Sequence, residues 1–385
     1  MRVGVMLRTM DEKQGIGVYT QNLMDALLEL DTRHEWVLFY RNPRWLGRYA
    51  GRPRVREMVI EAPNKAVWDQ IKIPYAAWRA DVDVIFHTKF TVPFLTRRPT
   101  VMALHGASWY TNPEVYRPLD IFYVRRFMPL YCRKATAIMS NSECTTRDFV
   151  RLLHLDPAKL HTANLAAADR FRPIDDPAML ADVRARYALP DRFVLSVIKY
   201  DPRKNFGNLL EAFREAHAQT GCSLVVVGRN VERYRADFGL DRSELGRHVH
   251  FLGWVEQSDL PAIYNQAECL FFPSIIEEFG IPVCEAMACG LPMVVSSVGA
   301  PPDIAGEAGI FVDPLDPNGM AEALIQVLTD PALRAEKRAL ALARARHFSW
   351  RKCAEETLAV LEQVARRRPR RISSDRLVAA GALGR

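Results

Sequence analysis

Short, uninterrupted apolar segments alternate with helix-like segments along most of the chain, in two successive series. The apolar runs of the first series lie at residues 3–7, 36–40, 82–86, 100–104 and 137–140. Those of the second series lie at residues 193–198, 224–228, 249–252, 269–272, 293–296 and 310–312. Continuous apolar runs, unlike alternating ones, are typical of parallel strands that helices cover on both faces. We therefore expect two separate parallel sheets.

Segments with helical periodicity separate the apolar runs. Residues 18–30 form one such segment, and in residues 206–217 the apolar side chains follow the i, i+3, i+4, i+7 spacing of a one-sided helix. A last helical segment, residues 350–364, follows the final strand of the second series. This order of strands, loops and helices predicts an α/β fold with two doubly wound, Rossmann-like domains that face each other across a cleft.

The length of 385 residues also fits two domains, because it exceeds the usual size of a single core. A stretch that carries Pro and Asp, residues 171–177, marks the seam between them. We predict a first domain at residues 1–170, a second at 171–346 and a C-terminal helix at 347–368. The basic tail at 369–385 is expected to be disordered and solvated.

Composition limits the classes of function. A formal net charge of +7 is compatible with nucleic acid, an anionic membrane face or phosphorylated small molecules. No zinc-finger, homeodomain-like or RNA-recognition signature accompanies the charge, so no nucleic-acid partner is predicted. No apolar run reaches about 18 residues, and the first strand is not followed by the pattern of a signal peptide. The seven cysteines form no C-x-x-C pair and suit reduced thiols, which favours a cytoplasmic protein.

The most specific local pattern is F-P-S-I-I-E-E-F-G-I-P-V-C-E-A-M-A-C-G-L-P. It places Glu277 on a loop after a buried strand and Glu285 about one turn inside the following helix, which Gly290 is suited to end. The backbone N–H groups of Gly280 and Ile281 would face an anion, as helix N-termini do. Carboxylates that accept hydrogen bonds from hydroxyls, together with amides that hold phosphate, suit a nucleotide-sugar. An arbitrary glutamate pair is more often two solvated charges, but the surrounding Pro, Gly and small residues favour the site.

This segment resembles the E-x7-E signature of the retaining glycosyltransferases of family 4, which adopt the GT-B fold. The resemblance includes the Phe-Gly-Ile-Pro core and the Glu-Ala-Met-Ala-Cys-Gly-Leu-Pro run. It implies one catalytic residue and four donor-binding residues in this segment: Glu277, and Glu285, Phe279, Gly280 and Ile281. The sequence departs from the family at Glu278, where Gly is most frequent, and this departure adds a charge near the sugar pocket.

A basic loop follows the first strand of the second series. Lys199, Arg203 and Lys204 leave the strand end close together and can converge on a diphosphate, although a basic loop on a basic protein is the simpler explanation. In the family, an Arg and a Lys of this loop neutralise the leaving diphosphate. Lys204 matches the family's Lys, whereas Lys199 stands where an Arg is usual. The resemblance thus implies catalytic roles for Lys199 and Lys204 and a donor-binding role for Arg203.

The first domain supplies a glycine-rich loop and a histidine. Gly15 and Gly17 suit a tight turn from strand to helix, and the family has a similar loop that approaches donor phosphate and acceptor. His105, at a strand end, resembles the family's active-site histidine. Asp often follows that histidine, but Gly106 follows here. The resemblance implies that His105 hydrogen-bonds the transferred sugar and that Gly15 and Gly17 contact the donor.

The resemblance covers nearly the whole chain and implies a division of labour. The first domain binds the acceptor, the second binds the nucleotide-sugar donor, and the C-terminal helix crosses back to the first domain. Transfer of a hexose is expected to retain the anomeric configuration and to need no metal or other cofactor. A D-x-D reading of Asp81 and Asp83 as metal ligands is rejected, because that segment lies outside the donor domain.

Donor and acceptor follow from looser similarity. The Asp-Pro-Arg-Lys-Asn loop and the Gly-Ile-Gly-x-Tyr segment are similar to those of bacterial mannosyltransferases that use GDP-mannose, so GDP-mannose is favoured over a UDP-hexose. The acceptor is expected to be a glycan or a lipid-linked saccharide of polysaccharide or glycoconjugate biosynthesis. The basic, aromatic-rich residues 109–131 suit either peripheral contact with the anionic inner face of the membrane or a helix with its aromatic side in the core.

Other functions explain less of the sequence. An NAD-dependent oxidoreductase needs a third glycine in the first loop, but position 20 is Thr20. A sugar-nucleotide epimerase of the same overall fold stays open as an alternative. A basic nucleic-acid-binding protein is the distant alternative, and it leaves Glu277, Glu285 and Lys204 without a role.

Overall fold

The computed structural model describes residues 1–12 and 15–366. Its first sheet has seven parallel strands in the order β3-β2-β1-β4-β5-β6-β7. The strands are β1 Arg2–Met6, β2 Glu35–Tyr40, β3 Val55–Val59, β4 Val84–His87, β5 Thr100–Leu104, β6 Ala137–Ser140 and β7 Leu160–Thr162. The tail predicted at 369–385 lies outside the described residues.

The second sheet has six parallel strands in the order β10-β9-β8-β11-β12-β13. They are β8 Phe193–Val197, β9 Ser223–Val227, β10 Val249–Gly253, β11 Cys269–Phe272, β12 Met293–Ser296 and β13 Gly309–Val312. Both sheets are continuous, parallel and covered by helices, as the apolar runs predicted. The α/β class with two facing sheets is therefore confirmed.

Helices connect the strands throughout. In the first domain they are α1 Ile16–Leu30, α2 Lys65–Val67, α3 Ile73–Arg79, α4 Ser108–Thr111, α5 Pro118–Lys134 and α6 Glu143–Leu153, with a π-helical turn at Trp68–Lys72. In the second domain they are α7 Pro177–Arg186, α8 Phe206–Thr220, α9 Arg233–Asp237, α10 Leu260–Gln266, α11 Ile281–Cys289, α12 Pro301–Ala305, α13 Pro317–Thr329 and α14 Pro331–Ala345. The last is α15 Trp350–Arg366.

The chain order of the strands reverses once in each sheet. In the first sheet β1 lies between β2 and β4, and in the second β8 lies between β9 and β11. Loops that leave the two strands beside a reversal point diverge to opposite faces, which opens a crevice at the carboxyl ends of the strands. The loops after β1 and β4, and after β8 and β11, are therefore the expected places for a ligand.

The sequence pattern missed two strands, β3 and β7. In β3 the apolar residues are interrupted by Arg56 and Glu57, and β7 contains only three residues. Both lie at the edges of the first sheet, where a strand is covered less completely and needs no continuous apolar run. The boundary predicted between residues 170 and 171 lies between β7 and β8 and stays a prediction.

Helix α15 crosses back to the first domain, as expected. It contacts α1 and the strands β4, β5 and β6. Ser349 caps it, because the Ser349 Oγ accepts a hydrogen bond of 3.0 Å from the Lys352 N–H. Trp350, Cys353 and Leu361 are buried in this contact. Helix α15 thereby connects the second domain to the first.

Two composition-based expectations can be compared with the structure. Six of the cysteines are buried, Cys144 is partly buried, and all seven are free thiols. Within residues 1–12 and 15–366, none of the helices combines the length and the apolar character needed to cross a bilayer.

Candidate active site

Two loops of the second domain meet at the carboxyl ends of the neighbouring strands β8 and β11. One loop contains residues 198–205 and the other residues 273–280. The Ile275 N–H donates to the Arg203 carbonyl at 2.9 Å, and the Asn205 side-chain amide donates to the Pro273 carbonyl at 3.1 Å. These bonds hold the basic loop and the Glu277 loop together, so that residues separated by about 70 positions in the sequence lie side by side.

Lys204 and Glu277 form the central ion pair of these loops. The Lys204 Nζ lies 2.5 Å from the Glu277 Oε2, and each side chain is only 14% exposed. The Lys204 ammonium also lies 4.7 Å from the centre of the Phe272 ring. A charge-assisted bond in a partly dehydrated pocket is strong and directional. It fixes the carboxylate and the ammonium at the point where the two loops converge.

The other two predicted basic residues share one carboxylate, that of Asp201. The Lys199 Nζ lies 2.9 Å from the Asp201 Oδ2, and the Arg203 guanidinium donates to both Asp201 oxygens at 3.0 and 2.8 Å. Although burial opposes ionisation, the bonds from Arg203 and Lys199 hold the pKa of Asp201 well below its usual range. Asp201 stands between the two basic residues in the sequence but was not among the predicted site residues. Its carboxylate holds Lys199 and Arg203 together.

A third loop supports Glu277 from below. The Ala300 N–H, which follows β12, donates to the Glu277 carbonyl at 2.9 Å. The loops after β8 and β12 therefore bond the backbone of the Glu277 loop, at Ile275 and at Glu277 respectively. The backbone of Glu277 is fixed independently of its side chain.

Helix α11 begins where the motif predicts. Gly280 precedes it with φ 90° and ψ 62°, a left-handed conformation that favours glycine, and Ile281 is the first helical residue. Gly290 ends the helix in a second left-handed conformation, as predicted. The Phe279 ring is buried and lies edge-on to the Phe348 ring, so this side chain belongs to the core and leaves only the backbone for a ligand.

Glu285 lies one turn inside α11, buried against α10. The Tyr264 hydroxyl donates to the Glu285 Oε2 at 2.7 Å. Burial raises the pKa of the Glu285 carboxyl to about 7, and the bond from Tyr264 opposes the rise only in part. Glu285 is thus held apart from the ion pair of Glu277 and Lys204, and its carboxyl changes charge near neutral pH.

The glycine-rich loop follows β1 in the first domain. Gly15 directly precedes α1, and Gly17 lies in its first turn. A Cβ atom on Gly17 would lie 1.5 Å from the Glu12 carbonyl oxygen, so no side chain fits there. Glu12 also forms an ion pair of 2.7 Å with Lys89, which follows β4. The loops at the reversal point of the first sheet are therefore connected.

His105 follows β5 and faces the same region. Its Nε2 lies 2.8 Å from the Thr88 carbonyl oxygen, and its ring lies edge-on to Tyr19 of α1, with the ring centres 4.7 Å apart. A carbonyl can only accept, so Nε2 carries the proton and Nδ1 is left as an acceptor. Burial lowers the pKa of His105 to about 4, and the imidazole is neutral at pH 7.

Direct hydrogen bonds connect the two domains across the cleft. The Arg203 Nη1 donates to the Tyr116 hydroxyl at 2.9 Å, and that hydroxyl lies 2.6 Å from the Ser108 Oγ. The Ser142 and Thr145 hydroxyls donate to the backbone carbonyl of Glu278, at 2.8 and 2.9 Å. These first-domain hydroxyls were not among the predicted site residues, because single hydroxyl groups carry no motif. They bring the two halves of the candidate site together.

The D-x-D segment is structural. The Asp83 Oδ2 accepts from the Arg2 N–H at 2.8 Å, and the Asp81 Oδ1 accepts from the Arg98 guanidinium at 2.7 Å. Both aspartates precede β4 and lie at the amino end of that strand, opposite to the cleft. Within residues 1–12 and 15–366, no group of three or more His, Cys, Asp or Glu side chains is arranged to hold a metal ion.

Family models match both halves of the sequence. The model described as "Glycosyltransferase Family 4" matches residues 13–164, and "Glycosyl transferases group 1" matches residues 183–344. The O-antigen chain mannosyltransferase B of Escherichia coli is 29% identical over 323 residues, which cover 81% of this chain and 82% of that protein. The serotype-specific mannosyltransferase WbdA of E. coli is 29% identical over 239 residues, which are 60% of this chain and 29% of that longer protein.

Solved structures share the fold. The sucrose-phosphate synthase of Thermosynechococcus elongatus aligns with a TM-score of 0.75 at 20% identity and covers 94% of this chain and 99% of that one. HepE of Anabaena, in complex with UDP and glucose, aligns with a TM-score of 0.75 at 18% identity and covers 94% and 100%. Together with the two family matches, this two-sheet GT-B architecture identifies the chain as a glycosyltransferase with a family 4 domain followed by a group 1 domain.

Proposed function

We propose that this glycosyltransferase transfers a hexose, mannose from GDP-mannose, onto a glycan or lipid-linked saccharide with retention of the anomeric configuration. The observation that carries the proposal is the half-buried pair of Lys204 and Glu277, with Lys199 and Arg203 gathered next to it on Asp201. A carboxylate suits sugar hydroxyls, and three cations on one loop suit a diphosphate. Their proximity at a strand-order reversal is what a sugar-diphosphate donor requires.

The proposed reaction breaks the bond between the anomeric carbon and the diphosphate oxygen, which keeps the electron pair. The acceptor oxygen attacks the same face of the sugar and forms the new glycosidic bond, and its proton passes to the departing phosphate oxygen. Lys199, Arg203 and Lys204 neutralise the charge that develops on that phosphate. Removal of one preorganised donor of this kind costs about 3 kcal/mol of transition-state stabilisation.

Glu277 and His105 are proposed to orient the sugar from opposite sides of the cleft. Glu277 accepts hydrogen bonds from sugar hydroxyls, while Lys204 exchanges part of its contact with Glu277 for the phosphate. Neutral His105 offers its Nδ1 lone pair to a further hydroxyl, because its Nε2 proton is engaged by Thr88. Since His105 is neutral at pH 7, it is assigned no role as an acid.

The donor-binding assignments of Gly15, Gly17, Gly280, Ile281, Phe279 and Glu285 are part of this proposal. Gly17 lets the Glu12 carbonyl pack directly against the first turn of α1. The backbone of Phe279, Gly280 and Ile281 is proposed to contact the donor at the start of α11. Glu285 is proposed to accept hydrogen bonds from the donor's ribose with the oxygen that Tyr264 does not use.

Mannose is proposed because O-antigen chain mannosyltransferase B is similar over most of both chains. The same similarity supports a place in polysaccharide biosynthesis. A UDP-hexose is the alternative donor, since HepE shares the fold and its structure was solved in complex with UDP and glucose. Metal-independent transfer is proposed because Lys and Arg side chains of this loop supply the positive charge that a divalent ion would supply.

Peripheral contact with an anionic bilayer is proposed for an exposed apolar surface of the first domain, here called the aromatic surface. Its large side chains are 37–79% exposed and belong to three segments: Ile71, Tyr75 and Trp78, then Phe94 and Leu95, then Leu119, Phe122 and Tyr123. Phe94 joins the segments, because its ring stacks on Tyr131 of α5 and its N–H donates to Gln70. Exposed Arg79, Arg125 and Arg126 surround the surface and complement anionic headgroups. The location proposed with this contact is the cytoplasm, on the inner face of the membrane.

The first test is thermal stabilisation by GDP, UDP, ADP, NAD and their sugar conjugates, with and without EDTA. A ligand at 100 times its Kd adds about 2.7 kcal/mol to the free energy of unfolding. We expect a selective shift with GDP and GDP-mannose that EDTA does not change. A shift with NAD alone, or no shift with any nucleotide, would refute the proposed function.

The second test separates transfer from isomerisation. The enzyme is incubated with the sugar nucleotide and a saccharide acceptor, and the anomeric configuration of the product is determined by NMR. Retention supports the proposed mechanism, and an inverted product refutes it. Release of an isomeric sugar nucleotide without any acceptor product would favour the epimerase alternative.

A further inference from the structure

The Glu278 side chain extends from the second domain to the first and fills the space beside Gly106. A Cβ atom built on Gly106 would lie 2.2 Å from the Glu278 Cγ and 2.5 Å from both Cδ and Oε1. Any side chain at position 106 would therefore overlap the carboxyl of Glu278. Gly106 of the first domain has no side chain, and the long side chain of Glu278 from the second domain occupies the space next to it.

The backbone of Glu278 is fixed to the first domain as well. The Ser142 Oγ, which caps α6, and the Thr145 Oγ1 both donate to the Glu278 carbonyl, at 2.8 and 2.9 Å. Ser142 is fully buried and Thr145 nearly so. Two buried hydroxyls that converge on one carbonyl across a domain boundary are a specific contact, since both would lose this acceptor if the domains separated.

Polar groups of both domains act on the carboxyl of Glu278. The Ser108 Oγ lies 2.6 Å from the Tyr116 hydroxyl, and Arg203 donates to that hydroxyl at 2.9 Å. Burial raises the pKa of the Glu278 carboxyl, whereas Ser108 and Arg203 act in the opposite direction. Ser108 and Tyr116 of the first domain are therefore held between two loops of the second.

The position of Glu278 in the chain gives this contact a consequence for the reaction. It directly follows Glu277, and Gly106 directly follows His105. A contact between the second members of these two pairs fixes the separation of the first members. Glu277 and His105 are the side chains assigned to opposite sides of the transferred sugar, and displacement of such groups by about 1 Å costs about a hundredfold in rate.

We propose that Glu278 is a positioning residue: by docking the donor loop at Gly106 it sets Glu277 and His105 at the separation that the transferred sugar requires. This inference rests on the proposed function. It assigns to Glu278 the alignment of the closed cleft, whereas binding of the nucleotide is left to Lys199, Arg203 and Lys204. Loss of the Glu278 side chain should therefore slow sugar transfer without weakening the binding of the nucleotide.

The test uses four variants of the full chain: Glu278→Gly, Glu278→Gln, Gly106→Asp and the double variant Glu278→Gly with Gly106→Asp. The double variant returns a carboxyl to the same volume from the opposite domain, because the Cβ of residue 106 points to the Glu278 carboxyl. Each variant is compared with wild type for thermal midpoint, stabilisation by GDP and UDP, KM for the donor, and kcat.

We expect Glu278→Gly to lower kcat by about tenfold to a hundredfold, while the stabilisation by nucleotide and the donor KM stay close to wild type. Glu278→Gln keeps the length of the side chain and its carbonyl acceptor, so its kcat should stay within about threefold of wild type. Gly106→Asp alone should lower kcat, because two side chains then compete for one space. The double variant should recover at least about tenfold over Glu278→Gly.

Other outcomes overturn the inference. A wild-type kcat in Glu278→Gly shows that the contact does not position the site. A Glu278→Gln variant as slow as Glu278→Gly assigns a direct chemical role to the carboxylate. A double variant that regains the thermal midpoint but not kcat reduces the contact to a structural one. If Glu278→Gly does not fold, Glu278→Gln and the double variant decide in the same way. Failure of the proposed function is recognised separately, because wild type itself would then lack nucleotide stabilisation.

Discussion

The Lys204 ammonium lies 2.5 Å from the Glu277 carboxylate, although 73 positions separate the two residues in the chain. Adjacent parallel strands carry them to the same end of the second sheet, one on the loop after β8 and the other on the loop after β11. The pair brings together a cation for phosphate and an anion for sugar hydroxyls. Four of the predictions concern the catalytic cleft, and the fifth concerns the aromatic surface.

Lys204→Ala should lower kcat by about a hundredfold, because one preorganised donor to the leaving phosphate contributes about 3 kcal/mol. Glu277→Gln should lower kcat as well. It should not weaken the binding of GDP or UDP, because Glu277 competes with the phosphate for Lys204. Steady-state kinetics and calorimetric titration measure the two effects, with exposed Lys352→Ala as the control. Weaker nucleotide binding by Glu277→Gln would contradict the assignment of this carboxylate to the sugar.

Arg203→Lys should weaken the binding of the nucleotide diphosphate by about tenfold. An ammonium cannot replace the planar guanidinium, which contacts both Asp201 and Tyr116. Tyr116→Phe removes one hydroxyl and should reduce the free energy of nucleotide binding by about 1 kcal/mol, which lowers the affinity about fivefold. Titration with GDP and UDP checks both variants. Tyr187→Phe, whose hydroxyl bonds Asp259 elsewhere in the second domain, is the matched control. Unchanged affinity in Arg203→Lys would exclude a bidentate role.

Glu285→Gln should stabilise the protein at pH 8 but not near pH 5. The pKa of Glu285 is raised from 4.5 to about 7 in the folded state, so the native protein holds an extra proton between these values. The free energy of unfolding therefore falls as pH rises through this window, and above pH 7 the cost reaches about 3 kcal/mol. Gln removes the titration and can still accept from Tyr264. Thermal midpoints from pH 5 to 8, with exposed Glu322→Gln as control, measure the effect, and parallel curves for variant and wild type would contradict it.

His105→Gln should reduce the loss of stability in acid. The pKa of His105 is lowered from 6.5 to about 4, so the unfolded chain binds a proton that the native protein rejects. The contribution of neutral His105 to the free energy of unfolding is complete above pH 6.5, and about 3 kcal/mol of it is lost as the pH drops to 4. The effect opposes that of Glu285, and only the difference between variant and wild type isolates it. Chemical denaturation from pH 4 to 7, with exposed His347→Gln as control, provides the measurement. An equal acid slope in both proteins would show that His105 is not held neutral.

Trp78→Ser and Phe122→Ser should each weaken binding to vesicles that contain phosphatidylglycerol by about tenfold, because each removes an exposed apolar side chain of the aromatic surface. Stabilisation by GDP or UDP should not change, since neither side chain belongs to the cleft. Leu315→Ser, on an equally exposed side chain of the second domain, is the control. Co-sedimentation at low and high salt checks the prediction, and binding that is unchanged in both variants would exclude this surface.

Local patterns were sufficient for the frame of the fold. Continuous apolar runs predicted the central strands, and Gly290 predicted the end of α11, because a left-handed terminus depends on a single residue. Strand β3 escaped because an edge strand with Arg56 and Glu57 lacks the apolar continuity that identifies a buried one. The basic loop and the glutamate loop were recognised separately, but their distance could not be read from either.

By itself the sequence determined two parallel α/β domains, the loops that carry chemistry, and the C-terminal helix that closes the chain. Only the tertiary structure decided how these side chains pair: Lys204 with Glu277, Lys199 and Arg203 with Asp201, and Glu285 with the Tyr264 hydroxyl. It also decided that Glu278 meets Gly106 across the cleft. The physical reason is that strand order and domain closure, which no short segment encodes, bring these groups within hydrogen-bonding distance, where burial then sets their charge.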